Sequence, residues 1–299
     1  MSYKLAINEY AYSDKSMRAW LELDAFGIEF SPKYVPMLSD EEPAFLAEHT
    51  PSRSLPLVLS NDENAATTIW ETDAAADILA DRHPEAGIWP DGAEMRDIAK
   101  LLAARARTGF ALLHKLPMNL HARYQGFEPR EDQEAKVKEL TSLLEWALHK
   151  SGGPFVCGEK FCAADAAIAP LATRLVTYGF YMTDMMQAYV EALYAHPSFR
   201  RWHACADAQL RKIADLHHNL PSGDNKAWPR QPTLPGRHYH GDLADAINEY
   251  CPYSGLPIDA QSLAEIDGMV VGFCNPFCCR RGMADAESWP TVMLVMGRV

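Results

Sequence analysis

The first 156 residues contain no cysteine, and four of the chain's seven crowd into the last 49. An odd count spread so unevenly makes a poor disulfide framework and fits a reducing compartment. It also excludes a protein thiol from any catalysis carried by the amino-terminal half. Long apolar runs are missing too. The longest, residues 292–296, falls far short of the ~20 residues a membrane span needs. The opening Met1–Glu9 has no long apolar segment and no small-residue cleavage site, so a cytoplasmic location is expected. Positive charge is scarce, with 28 Lys and Arg against 40 Asp and Glu, for a net charge of −12. Such a surface repels phosphate backbones, which argues against a nucleic-acid or anionic-membrane partner. Internal repeats and low-complexity tracts are absent.

What remains is an ordinary globular composition, 48% hydrophobic and 23% charged over 299 residues. At roughly 150 residues per domain this suggests about two domains. Tyr3-Lys4-Leu5-Ala6-Ile7 alternates as a strand does. Ser13 precedes a helix carrying Met17, Trp20, Leu21 and Ala25 on one face, stopped by Gly27. A short extended run at 28–30 leads into a Pro-punctuated loop over 32–51. Residues 55–59 and 65–70 read as two strands joined by a turn-rich stretch, and 73–82 as a helix ended by Pro84. That order predicts a small α/β unit over 1–85.

From 91 to 218 the pattern is helical. Met95, Ile98, Leu101, Leu102 and Ala106 recur at helical spacing, as do Val137, Leu140, Leu143, Leu144 and Ala147. Segments 165–177, 182–194 and 198–217 continue it, predicting an all-α domain of about five helices. Four prolines and two glycines mark 219–236 as a linker, followed by a Cys- and Gly-bearing module at 237–299.

Five segments carry a family likeness. They are residues 12–21 on the first helix, Leu55-Pro56-Leu57-Val58, Trp70-Glu71-Thr72, Ile88-Trp89-Pro90, and Gly152-Gly153-Pro154-Phe155 running into 161–170. In this order they resemble the cytosolic glutathione transferases over residues 3–217. Gly109-Phe110 with Leu116-Pro117-Met118-Asn119 is similar to a bacterial, serine-type branch close to the zeta class. The resemblance implies a thioredoxin-like α/β domain plus an all-α domain, here with a small α+β extension. It further implies a homodimer that binds glutathione as co-substrate and activates its thiolate against a small electrophile. A zeta-like activity would be cis–trans isomerisation of a dicarboxylic keto acid, of the maleylacetoacetate isomerase type. A thiol–disulfide mechanism is disfavoured by the cysteine-free amino-terminal half.

A free thiol has a pKa of roughly 8.5, so such an enzyme must stabilise the thiolate. A hydroxyl donor and a helix N-terminus both do this, and Ser13 sits where both act. It is equally a plain N-cap serine. Tyr12 is the alternative hydroxyl, and Ser16 reads as structural. The resemblance pairs Leu55, before a cis Pro56, with the cysteinyl part of glutathione, as an added strand does. It places Arg53 or Ser54 by the glycyl carboxylate. Glu71 and Thr72 open a helix whose free N–H groups suit the γ-glutamyl carboxylate, with Glu71 taking the ammonium. Thr72 is also a reasonable cap in its own right, and Asp73 departs from the family's longer or apolar residue. Cys162 stands where the family's capping box has Ser or Thr, which leaves only the Asp165 half of that box.

The second-substrate site would lie near Arg105, Arg107, Thr108, Phe110 and His114. The two arginines suit an anionic substrate, or else form a solvated face. The tail, with Cys251-Pro252-Tyr253-Ser254-Gly255 and Cys274-Asn275-Pro276-Phe277-Cys278-Cys279, is similar to treble-clef-like metal modules. Ser254 replaces the second expected cysteine. Cys251, Cys274 and Cys278 remain as candidate zinc ligands, with Cys279, His238 or His240 as fourth, since structural zinc normally takes four. The alternative is a metal-free module packed on Phe273, Phe277 and Trp289.

Overall fold

The computed structural model describes residues 2–60, 68–211 and 225–298, with the backbone alone of Asp73. It divides into two compact units. One is Met1–Leu193 with Ile213–Trp228, and the other is Tyr194–Lys212 with Pro229–Val299.

The first unit opens with strand β1 (Tyr3–Ile7), which lies at the centre of a three-stranded sheet of order β2-β1-β3. Tyr3, Leu5, Ala6 and Ile7 are fully buried, as befits a strand with neighbours on both edges. Helix α1 (Asp14–Asp24) returns the chain to β2 (Phe30–Tyr34), which runs parallel to β1. The sequence reads 32–51 as loop, but Ser31–Tyr34 extends β2, and α2 (Glu41–His49) follows. Prolines explain the difference. Pro32 is tolerated on an edge strand, and Pro43 falls in the first turn of α2, where N–H groups have no helical acceptor anyway. After a cis Leu55–Pro56 bond, β3 (Leu57–Ser60) runs antiparallel to β1. Of the expected strand 65–70, residues 65–67 lie outside the described residues, and Ile69 forms an isolated bridge to Val58. Helix α3 (Thr72–Arg82) completes this layer.

Helices α4 (Ala93–Thr108), α5 (Ala111–His114), α6 (Glu131–Ser151) and α7 (Ala163–Thr177) form the helical part of the unit, and α8 (Asp184–Ala195) follows them. Helix α7 is buried at every position and packs against α1 and α4. Along α4 the buried stripe is Ile98, Ala99, Leu102, Ala103 and Ala106, so Leu101 of the predicted face is exposed instead. The Asp165 half of the capping box forms, with its carboxylate accepting the N–H of Cys162 (2.9 Å), the N–H of Val156 (3.2 Å) and the Tyr189 hydroxyl (3.1 Å). A two-residue pairing of β4 (Ala122–Arg123) with β5 (Lys226–Ala227) brings Trp228 to Thr177, so residues 226–227 of the expected linker are a strand.

The second unit holds helix α9 (Pro197–Ala208). The expected helix 198–217 stops there because Gln209 turns extended (φ −84°, ψ 113°), and 212–217 lie outside the described residues. Strands β6 (Gly236–His238), β7 (Leu263–Ile266) and β8 (Met269–Gly272) form an antiparallel sheet. Asp267 and Gly268, both at positive φ, make the tight β7–β8 hairpin turn that an Asp-Gly pair favours. Helix α10 (Pro276–Ala284) is capped by Asn275 and packs on α9, and α11 (Pro290–Val295) closes the unit. Arg200 grips Asp285 through two 2.7 Å hydrogen bonds, joining α9 to the end of α10. No helix among the described residues is long and apolar enough to cross a membrane.

Candidate active site

Helix α3 begins beside the sheet with its first N–H groups unoccupied by a side-chain cap. Glu71 holds the N-cap position in extended conformation without a capping bond, and its side chain is exposed. Thr72 is buried. Behind them Arg18 of α1 donates to the Thr72 carbonyl and to Glu22 (2.8 Å), fixing where α3 starts.

Glu71 and Thr72 share a cavity of about 420 Å³ with Asp14, Lys15 and Arg18 of α1 and with Arg107, His114 and Lys115. Ala167 and Pro170 of α7 supply part of its apolar wall. Two helix N-termini thus border one cavity, each carrying the partial positive charge that favours an anion. Its volume lies within the range of small-molecule sites.

Within the cavity, Asp14 receives Arg174 at 2.8 Å and faces His114 Nδ1 at 3.7 Å. Burial would raise the Asp14 pKa, but hydrogen bonds and charge from His114 and Arg174 outweigh it and hold the carboxyl well below its ordinary range. His114 is positioned from its other nitrogen, with Nε2 donating to the Ala106 carbonyl at 2.8 Å. Arg174 also donates to the carbonyls of Leu116 (2.7 Å) and Pro170 (3.0 Å). Asp14 and Arg174 are not among the site residues that the family resemblance implies. The available signals were a charge within an apolar helix for Arg174 and a carboxylate right after the cap for Asp14.

The other predicted residues lie outside the cavity lining. Ser13 caps α1, accepting the Ser16 N–H (3.3 Å) and donating its hydroxyl to Ser16 Oγ (2.8 Å). Tyr12 is buried edge-on to His121, and burial, with the nearby Tyr124, pushes its hydroxyl up to about 12. Leu55 packs in the core with Ala6, Val35, Leu46 and Leu57. Pro56 is buried, Ser54 half-buried and Arg53 exposed. Phe110 is fully buried under the Arg105 guanidinium, 5.8 Å from its ring centre. Arg105 also pairs with Glu139, so of the two arginines only Arg107 reaches the cavity. Thr108 bonds back to the Ala104 carbonyl of its own helix (3.0 Å).

In the second unit, Cys251, Cys274 and Cys278 converge, with their sulfurs all within 4.8 Å of one another. Cys251 comes from a tight turn in which it accepts from Gly255 (3.0 Å) and donates to Leu256 (2.8 Å). Cys278 lies in the first turn of α10, and Cys274 in the bend just before its Asn275 cap. A hydrogen bond from the Cys278 thiol holds Cys251 below the ordinary thiol range, and the same bond, with burial, pushes Cys278 up. Cys279 is not part of the group. Its sulfur sits 3.9 Å from His238 Nδ1, so neither residue is the expected fourth ligand. Ser254 Oγ, 3.2 Å from Cys274 Sγ, is the polar atom beside the cluster. Nearby, Tyr253 stacks on Phe273 (ring centres 5.7 Å apart) and stands edge-on to Trp289 (4.9 Å), and Arg281 lies over Tyr253 (3.6 Å), Trp289 (4.8 Å) and Phe277 (5.5 Å).

No family model matches the chain. A probable maleylacetoacetate isomerase of Caenorhabditis elegans is 26% identical over 170 residues, 56% of this chain and 77% of that protein. The structure of a glutathione transferase homolog from Burkholderia gl BGR1, with bound glutathione, is 23% identical. It matches with a TM-score of 0.51 over 68% of this chain and 96% of its own. A homolog from Lodderomyces elongisporus, with two GSH per subunit, is 12% identical with a TM-score of 0.54, over 68% and 98%. The chain therefore has the glutathione transferase fold, a thioredoxin-like layer followed by helices.

Proposed function

We propose that this chain binds glutathione and activates its thiolate for attack on a small electrophile. The observation that carries the reading is the single cavity bordered by Glu71 and Thr72 at the start of α3 and by the first turn of α1. The γ-glutamyl carboxylate sits on the α3 N–H groups and Thr72, and its ammonium pairs with Glu71. Leu55 pairs with the cysteinyl backbone, and Arg53 or Ser54 meets the glycyl carboxylate. Ser13 turns its hydroxyl from Ser16 to the glutathione sulfur, with Tyr12 as the alternative donor. Arg107 and His114 receive an anionic electrophile, whereas Phe110, fully buried under Arg105, takes no part in that contact. With a cis-unsaturated dicarboxylic keto acid, thiolate adds to the double bond, the new single bond rotates, and elimination restores the trans alkene and the thiolate. No oxidant or net proton is required. The same reading makes the protein a cytoplasmic homodimer.

Calorimetry tests it. Glutathione should bind the wild type, and Glu71→Gln should weaken binding by about tenfold or more, as for loss of one charge-assisted contact. Unchanged affinity would overturn the assignment. A second reading, a non-catalytic glutathione-transferase-fold interaction module whose tail binds metal or a partner, is favoured by the Ser13 hydroxyl being spent on Ser16 inside the protein. Thiolate absorbance of bound glutathione near neutral pH, lost in Ser13→Ala, separates the two.

A further inference from the structure

The glutathione reading leaves the three converging thiols of the second unit without a role. Buried cysteines that serve only as small apolar side chains turn their sulfurs into the core. Here the sulfurs turn toward one another, and polar donors surround them. Asn275 Nδ2 donates to Cys274 Sγ at 3.2 Å, and Arg281 donates to Cys278 Sγ at 3.5 Å. N–H groups aimed at sulfur stabilise thiolates, and three thiolates this close repel one another unless a cation lies between them.

We propose that Cys251, Cys274 and Cys278 bind one zinc ion as thiolates, with the Ser254 hydroxyl as the fourth ligand. Zinc–sulfur bonds of ~2.3 Å in a tetrahedron set sulfur–sulfur edges of ~3.8 Å. The Cys274–Cys278 pair stands at 4.0 Å, and no pair exceeds 4.8 Å, so the sulfurs need only a small inward movement. A zinc–oxygen bond of ~2.0 Å sets an oxygen–sulfur edge of ~3.5 Å. The Ser254–Cys274 separation of 3.2 Å is close to that edge. The donor set also selects the ion. A hard hydroxyl beside three thiolates suits zinc better than copper(I), which prefers soft sulfur ligands. Charge agrees, because three thiolates and a divalent ion leave one negative charge, and Arg281 at Cys278 cancels it. Ser254 is exposed, so the fourth corner of the site opens to solvent.

The full chain, expressed with zinc and purified under reducing conditions without chelator, should contain about one zinc per chain by elemental analysis. Cys274→Ser should lose it, while Cys157→Ser, altered in the other unit, should keep it. Cobalt(II) added to chelator-treated wild type should give sulfur-to-cobalt charge-transfer absorbance and the intense visible bands of a tetrahedral site. This readout holds even where a cysteine variant fails to fold. Ser254→Cys should slow zinc transfer to a chelator by about tenfold or more, and Ser254→Ala should speed it. Equal zinc in wild type and Cys274→Ser, or wild type with neither zinc nor a tetrahedral cobalt spectrum, overturns the site. Unchanged transfer in both Ser254 variants overturns the fourth ligand.

Discussion

Arg174 is a lone cation within a helix buried on all sides, and its stability rests on acceptors drawn from three segments of the first unit. It reaches the carbonyls of Leu116 (2.7 Å) and Pro170 (3.0 Å) and the carboxylate of Asp14 (2.8 Å). Arg174→Met should cost about 3 kcal/mol, because truncation leaves those acceptors without their donor. Urea unfolding at pH 7 measures this, and a loss below about 1 kcal/mol would show that other donors take over. Two carboxyls then set opposite slopes of stability with pH. The folded pKa of Asp14 is depressed, so its contribution is present above its unfolded value of about 3.9 and lost as pH falls through the folded one. Burial raises Asp165 to about 6 against the hydrogen bonds that lower it. Its contribution is therefore full below about pH 4 and lost as pH rises through about 6. Between pH 4 and 6, with the Asp14 contribution largely in place, the Asp165 term makes stability fall. Urea melts across that range should show Asp165→Asn flattening this fall, even where the variant is less stable throughout. An unchanged slope would remove Asp165 as its source. Both charges are visible in the sequence, but the His114 and Arg174 that lower Asp14 come from distant segments, and the burial that raises Asp165 is set by packing.

The N-terminus of α1 joins local structure to proposed chemistry. Ser13 caps the helix through Ser16, a bond that follows from serine's short hydroxyl at an extended position (φ −98°, ψ 102°). Ser13→Ala should therefore destabilise by about 1 kcal/mol, and Ser13→Gly by only a few tenths. If Ser13 also serves the glutathione sulfur, both variants lose thiolate absorbance alike. Thermal melts paired with that absorbance separate capping from activation. Loss that tracks stability would mean Ser13 acts only as a cap. Helices and strands with clear periodicity were legible, α3 and α6 among them. Elements α2 and the end of β2 were not, because Pro32 and Pro43 read as loop markers until edge position and first-turn position make them harmless.

At the scale of the chain, glutathione at about 100 times its Kd should stabilise the protein by about 2.7 kcal/mol through mass action alone. Hydrogen exchange should place the new protection at the starts of α1 and α3 and leave β6–β8 unchanged. Protection confined to the second unit would refute the proposed site. The compact units divide the chain differently from its composition. Composition places a break at 219–236, whereas α9 belongs with the carboxy-terminal sheet through the Arg200–Asp285 grip and its packing on α10. No local pattern shows which helix a distant helix will pack against.

The sequence alone determined the order of α/β and helical segments, the glutathione transferase likeness and the three cysteines now found together. These follow from periodicity, turn chemistry and residue spacing, which are local or nearly so. Tertiary structure alone decided that Arg105 turns to Glu139 while Arg107 reaches the cavity, and that Cys279 meets His238 rather than the thiol cluster. It also brought Asp14, His114 and Arg174 together beside Glu71 and Thr72. Each of these outcomes depends on which way a side chain faces once helices pack, and that direction is set by neighbours far away in the sequence.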